Sequence, residues 1–203
     1  MKIAIICVLA AFLLVMPGLA ATYKSPDGSA VLSAKSIGAR ADNVLVADGK
    51  PHLHYAATDA KTTLEADANK MVVAFVVGKK AAKGAAAAAS TKSVTASIKS
   101  AKLTGPVTIV YTFPDTKNGG ISRITATADD ADFDGVANVA HLTGHVKIVN
   151  DNPAIFAEPA VMSGDKATVN LNLAPGPDEL RFRVESSPGV SSITVTPKPK
   201  EDQ

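Results

Sequence analysis

The sequence repeats itself. Ala101-Lys102-Leu103-Thr104-Gly105-Pro106-Val107-Thr108-Ile109-Val110 returns 39 residues later as Ala140-His141-Leu142-Thr143-Gly144-His145-Val146-Lys147-Ile148-Val149, identical at seven of ten positions. A weaker copy precedes them, Asp48-Gly49-Lys50-Pro51-His52-Leu53-His54-Tyr55, in which Leu53 falls on Ile109 and Tyr55 on Tyr111. Each unit has a second half. Ala128-Asp129-Asp130-Ala131-Asp132-Phe133 corresponds to Gly164-Asp165-Lys166-Ala167-Thr168-Val169, and loosely to Ala66-Asp67-Ala68-Asn69-Lys70-Met71. Units of this size rarely bury a face alone and must stack on their neighbours.

Within the units the side chains alternate. Leu142, Val146 and Ile148 share one face, with His141, His145 and Lys147 on the other. Leu180, Phe182 and Val184 alternate with Arg181, Arg183 and Glu185. A period of two is the mark of a half-buried strand. Turn residues punctuate the runs, as in Pro114-Asp115, Asn118-Gly119-Gly120, Asn150-Asp151-Asn152-Pro153 and Pro175-Gly176-Pro177. Long helical periodicity is missing, so the chain is expected to be all-β, built of repeated antiparallel strand units.

The N-terminus sets the compartment. Met1-Lys2 gives a positive start, residues 3–15 are apolar, and Pro17-Gly18 and small residues follow. That order predicts a cleaved signal peptide over residues 1–21 and an exported mature protein, with an uncleaved N-terminal anchor as the rival reading. Cys7, the single cysteine, leaves with it, so thiol chemistry and disulfides are excluded from the mature part. The remaining chain divides into a domain over 22–195, a Lys/Ala/Gly/Ser-rich insertion over 79–92, and a tail over 196–203 expected to lack order.

Several chemistries fail on the residues. Lys and Arg number 21 against 19 Asp and Glu, Trp is absent and aromatics are 4%, so there is neither a charge surplus nor a stacking surface for nucleic acid. Asp130-x-Asp132-x-Asp134-Gly135 starts like a calcium loop, but the twelfth position is His141 and no helices flank it. His52, His54, His141 and His145 fall on outward positions, the ordinary place for surface histidines. Neither a nucleophile elbow, nor a Walker loop, nor a zinc-protease motif is present. The expectation is a protein that is not an enzyme, with no cofactor and no metal.

The order Leu-Thr-Gly-x-Val-x-Ile, a turn, then Ala-Asp-x-Ala-x-aromatic resembles the OstA-like domain of the lipopolysaccharide-transport family. The best copy runs from Ile124 to Leu173, and a diluted version extends back to about Ser33. The resemblance implies a twisted, partly open β-jellyroll in the periplasm, with an apolar groove that shields lipopolysaccharide acyl chains on their way to the outer membrane. It also implies partners: lipopolysaccharide or a related lipid, envelope transport proteins carrying the same domain, and end-to-end copies of itself joined through edge strands. By alternation the inward residues are Leu53, Leu103, Val107, Ile109, Leu142, Val146 and Ile148, with Phe133, Val169 and Leu171 on the second halves; the resemblance makes these the groove candidates. Alternation alone does not separate groove lining from packed core. The alternative is a structural or adhesive β-repeat protein of the envelope with no lipid ligand.

Overall fold

The computed structural model describes residues 20–25, 27–40, 43–57, 61–75, 98–114, 120–172 and 180–199. The insertion expected at 79–92, nearly all of the expected signal peptide and the last four residues lie outside these. The described residues form thirteen strands: β1 (Ala21–Lys24), β2 (Ala30–Ala34), β3 (Ser36–Arg40), β4 (Val44–Asp48), β5 (His52–Ala56), β6 (Thr63–Asp67), β7 (Lys70–Phe75), β8 (Ile98–Pro114), β9 (Ile121–Asp134), β10 (Val139–Asp151), β11 (Phe156–Asn170), β12 (Phe182–Glu185) and β13 (Ser192–Pro197). All are antiparallel and belong to one sheet. The sheet runs through Thr196 and Pro197, two residues past Val195.

The repeats explain how one sheet encloses an interior. Strands β8 to β11 are long and each is bent in its middle, so that its two ends serve two leaves of the sheet. The first leaf runs β1-β2-β5-β6, then through Val107–Pro114 of β8 and the matching parts of β9 and β10 to β11 and β13. The second runs β3-β4-β7, then through Ile98–Thr104 of β8 to the other ends of β9, β10 and β11, and finishes at β12. The leaves fold over one another, and their inward side chains make a single hydrophobic cluster.

The bend is where the Leu-Thr-Gly signature sits. Pairing of β8 with β9 jumps between Thr104 and Val107, and pairing of β10 with β11 jumps between Thr143 and Val146. Gly105 and Gly144 hold φ of +89° and +78° in those bulges, a region that side chains with a Cβ rarely enter. Pro106 has no N–H to give and stands where the ladder is interrupted, the position in a strand that proline tolerates. In the weaker copy Gly49, at +82°, makes the same crossing from β4 to β5 with the strand broken in two.

Each glycine lies against a side chain of the neighbouring crossing: Gly49 against Lys35, Gly105 against Asn69, Gly144 against Asp129. This corrects the register of the loosest repeat. Asn69, not Asp67, is the counterpart of Asp129, so the Ala66–Met71 match made on letters is two residues out of step. The crossing from β6 to β7 carries Ala68 buried where β9 carries Ala128.

Candidate functional site

Alternation places the side chains as expected. Leu53, Leu103, Val107, Leu142, Val146, Ile148, Val169 and Leu171 are buried, and Ile109 and Phe133 are half-buried against the same cluster. The structure divides these ten residues. Leu53, Leu103, Ile109, Phe133, Leu142, Val169 and Leu171 surround a void between the leaves. Val107, Val146 and Ile148 do not line it and are fully buried in the surrounding core.

The void measures about 40 Å³. A water needs roughly 10–15 Å³ of such space, so a few would fit, but the surrounding side chains are aliphatic and aromatic and offer them almost nothing to bond. The lining includes residues that the repeat did not single out: Leu64, Ile98, Tyr111, Ile124, and a set of alanines at 66, 101, 126 and 140. The alanines are the signal in retrospect. Small residues at inward positions of both leaves leave space where larger ones would close it.

The two ends of the sheet are unlike. At the N-terminal end β1 and β3 approach across the interior, and Tyr23 of β1 packs on Phe75 of β7 with ring centroids 5.1 Å apart. At the C-terminal end β12 and β13 pair only with β11 and not with each other. Ile193 stands opposite Met162, which is in the core, so Ile193 and Val195 point to the inner side of the first leaf. They are nevertheless 64% and 42% exposed. Phe182 and Val184, opposite Val169 and Ala167 in the second leaf, are only half-buried. Here the interior ends in uncovered apolar side chains rather than in a closed seam.

Opposite the row of bends, where the leaf tips meet, a cation crosses the gap. Arg181 precedes β12 in the second leaf, and its guanidinium carbon lies 5.6 Å from the Phe113 ring centroid in the first. Its Nη2 donates to the Asn172 carbonyl at 3.0 Å, and Phe113 stacks on Tyr111 at 5.0 Å. Burial pushes the guanidinium pKa down and the nearby Tyr111 opposes that shift; an arginine stays protonated through any working pH.

The outer face carries the histidines and carboxylates. His52 pairs with Asp67 at 2.9 Å, His54 with Glu65 at 3.5 Å and His145 with Asp129 at 2.8 Å. The Asp129 carboxylate, first by accepting a hydrogen bond from the His145 ring and then by its charge, raises the His145 pKa. Asp130, Asp132 and Asp134 string out along β9; the Asp134 carboxylate accepts from the backbone N–H groups of Ala137 and Val136, which lower its pKa. Among the described residues no three His, Cys, Asp or Glu gather as a metal site would require, and no helix is long and apolar enough to cross a membrane.

No family model matches the sequence, and no curated protein does. Among solved structures, LptH, the LptA-homologous periplasmic component of the lipopolysaccharide transport device of Pseudomonas aeruginosa, is similar over 84% of this chain and 95% of that one, at 13% identity and a TM-score of 0.47.

Proposed function

We propose that this chain is a non-catalytic periplasmic carrier that shields the acyl chains of lipopolysaccharide or a related lipid between its two leaves and passes them toward the outer membrane. The observation that carries the reading is the uncovered inner face of β13: apolar side chains that belong to the interior stand exposed at one end of it. An acyl chain entering there covers them and continues toward the void. The OstA-like order of the repeats supports the same reading, and the leader fits export. Among the described residues β1, β3, β12 and β13 are the ends of the sheet, and strand addition by a like domain at such edges provides a route for hand-over along a row of copies.

Energetics favour such a ligand without any catalytic group. Each methylene taken from water gains about 0.8 kcal/mol, so roughly ten buried methylenes supply about 8 kcal/mol before the cost of association. A 40 Å³ void does not hold a chain of that size, so the leaves must separate as it enters. The small void also favours a second reading, a structural envelope protein whose core stays filled.

Mass spectrometry of solvent extracts of protein purified from a Gram-negative host separates the two. The carrier reading expects acylated lipid in the extract, and uptake of lipopolysaccharide by delipidated protein. Clean protein that also takes up none refutes it and leaves the filled-core reading.

A further inference from the structure

We propose that the leaf tips in the C-terminal half of the molecule are a membrane-contact surface, whose exposed aliphatic side chains seat in the head-group region of a phospholipid bilayer. The inference goes beyond the carrier reading and does not need it, since a contact at the tips leaves the interior untouched.

Four large aliphatic side chains stand in water at this margin: Val136 is 83% exposed, Leu180 70%, Ile121 67% and Ile155 55%. The strand registers place all four away from the bends. Ile121 faces Pro114 at the end of the β8–β9 pairing, and Ile155 lies in the turn between β10 and β11, so both belong to the tip of the first leaf. Val136 lies in the turn between β9 and β10, and Leu180 stands ahead of β12, at the tip of the second leaf. The Arg181–Phe113 contact brings the two tips to one margin. The tip between β1 and β2, in the N-terminal half, carries Ser25, Asp27 and Ser29 instead.

Two of the four side chains are presented by braced turns. The Asp134 carboxylate accepts from the N–H groups of Val136 and Ala137 at 2.8 and 3.1 Å, and the Gly135 N–H donates to the Lys99 carbonyl at 2.9 Å. On the other leaf Asn152 braces the turn of Ile155. Its carbonyl accepts from the Ile155 and Phe156 N–H groups at 3.0 and 2.9 Å, and its side-chain oxygen from the Ala154 N–H at 3.0 Å. Each turn satisfies its own backbone while holding an aliphatic side chain outward, so little ordering remains to be done when that side chain enters an apolar layer.

Exposed cations stand beside the same tips: Arg123 two residues after Ile121, Lys99 beside Gly135, and Lys198, whose N–H donates to the Ile155 carbonyl at 3.1 Å. Of the acids there, Asp151 stands opposite Arg123 and the Asp134 carboxylate is turned onto its own turn. Aliphatic side chains with cations beside them match the boundary between acyl chains and anionic head groups. Standing singly on separate tips, they suit a fluid layer, which receives each one without matching its shape.

The chain has no tryptophan, so a single one introduced reports its own surroundings. Val136→Trp and Ile155→Trp are compared with Val190→Trp, whose position is 92% exposed between β12 and β13 on the side of the bends. The probe is a vesicle of phosphatidylcholine and phosphatidylglycerol. Emission at 136 and 155 is expected to move to shorter wavelength and to be quenched by brominated acyl chains, with no change at 190. Val136→Ser combined with Ile155→Ser replaces exposed side chains, leaves the fold intact and lowers vesicle binding about tenfold in co-sedimentation. No shift at the tips, an equal shift at 190, or unchanged binding of the double serine variant overturns the proposal. A shift without co-sedimentation also overturns it, because the protein has then drawn single lipids from the vesicle, which is the carrier reading without the contact. Tip shifts and co-sedimentation in protein that takes up no lipopolysaccharide keep the contact and remove the carrier.

Discussion

The bend at Gly105 gives the sharpest test of how the two leaves are joined. Replacing it with alanine puts a Cβ on a residue at φ +89°, a strain of about 1–3 kcal/mol. That Cβ also meets the Asn69 side chain, with Nδ2 at 2.6 Å, Cβ at 2.7 Å and Cγ at 2.9 Å. Crowding of this kind adds about 1–3 kcal/mol. Alanine narrows the unfolded ensemble and returns about 0.4–1 kcal/mol. The net expectation for Gly105→Ala is a loss of about 2–4 kcal/mol, a large part of the stability of an ordinary domain. The two contributions are separable. In an Asn69→Gly background the steric part vanishes, and the further loss on adding Gly105→Ala drops to about 1–2 kcal/mol. Urea unfolding followed by far-ultraviolet circular dichroism reads all four proteins. A Gly105→Ala loss below about 0.5 kcal/mol, or one of the same size with and without Asn69, refutes the account of the bend.

Leu142→Ala should cost about 3–5 kcal/mol, because the residue is 2% exposed and its loss enlarges the void, as thermal or chemical unfolding would report. Ile193→Ser should leave stability within about 0.5 kcal/mol, since Ile193 is 64% exposed, yet weaken acyl-reporter binding by removing part of the uncovered inner face. The His145–Asp129 pair predicts a pH effect whose sign follows from the raised folded pKa. Its stabilisation is fully present below the unfolded value of 6.5 and is lost as pH rises through the higher folded value. The melting temperature of wild type relative to His145→Asn should therefore fall across that window; asparagine tolerates the φ of +46° held there. Added salt should shrink the difference, because the pair is exposed.

Much of this was legible from the residues. The period of two identified the inward face of the long strands, and the recurrence of Leu-Thr-Gly marked where they bend, because few residues other than glycine accept the conformation a bulge needs there. Which strands would face each other was not legible, since pairings such as β6 with β8 join segments far apart in the chain and no local pattern encodes them. Arg181 was hidden for a different reason. Alternation over residues 180–185 places Leu180 inward and Arg181 outward, but β12 begins only at Phe182. One residue ahead of the strand, the alternation no longer applies: Leu180 is 70% exposed and Arg181 turns inward over Phe113. The register of the loosest repeat slipped because alanine and Asx residues recur on both sides of the β6–β7 crossing, and only the packing of Asn69 on Gly105 tells them apart.

Four strands pass unbroken from one leaf to the other, and this decides what an opening movement would cost. Leaves that swing apart about the bulges keep their ladder hydrogen bonds, since every pairing lies within a leaf and the crossing points already lack regular pairing. Only side-chain contact across the interior is given up, and an incoming hydrocarbon chain restores contact of the same kind. The work of parting the leaves therefore depends on how many methyl and methylene groups lose a neighbour, and it can be tuned by substitutions such as alanine for leucine without altering the backbone at all.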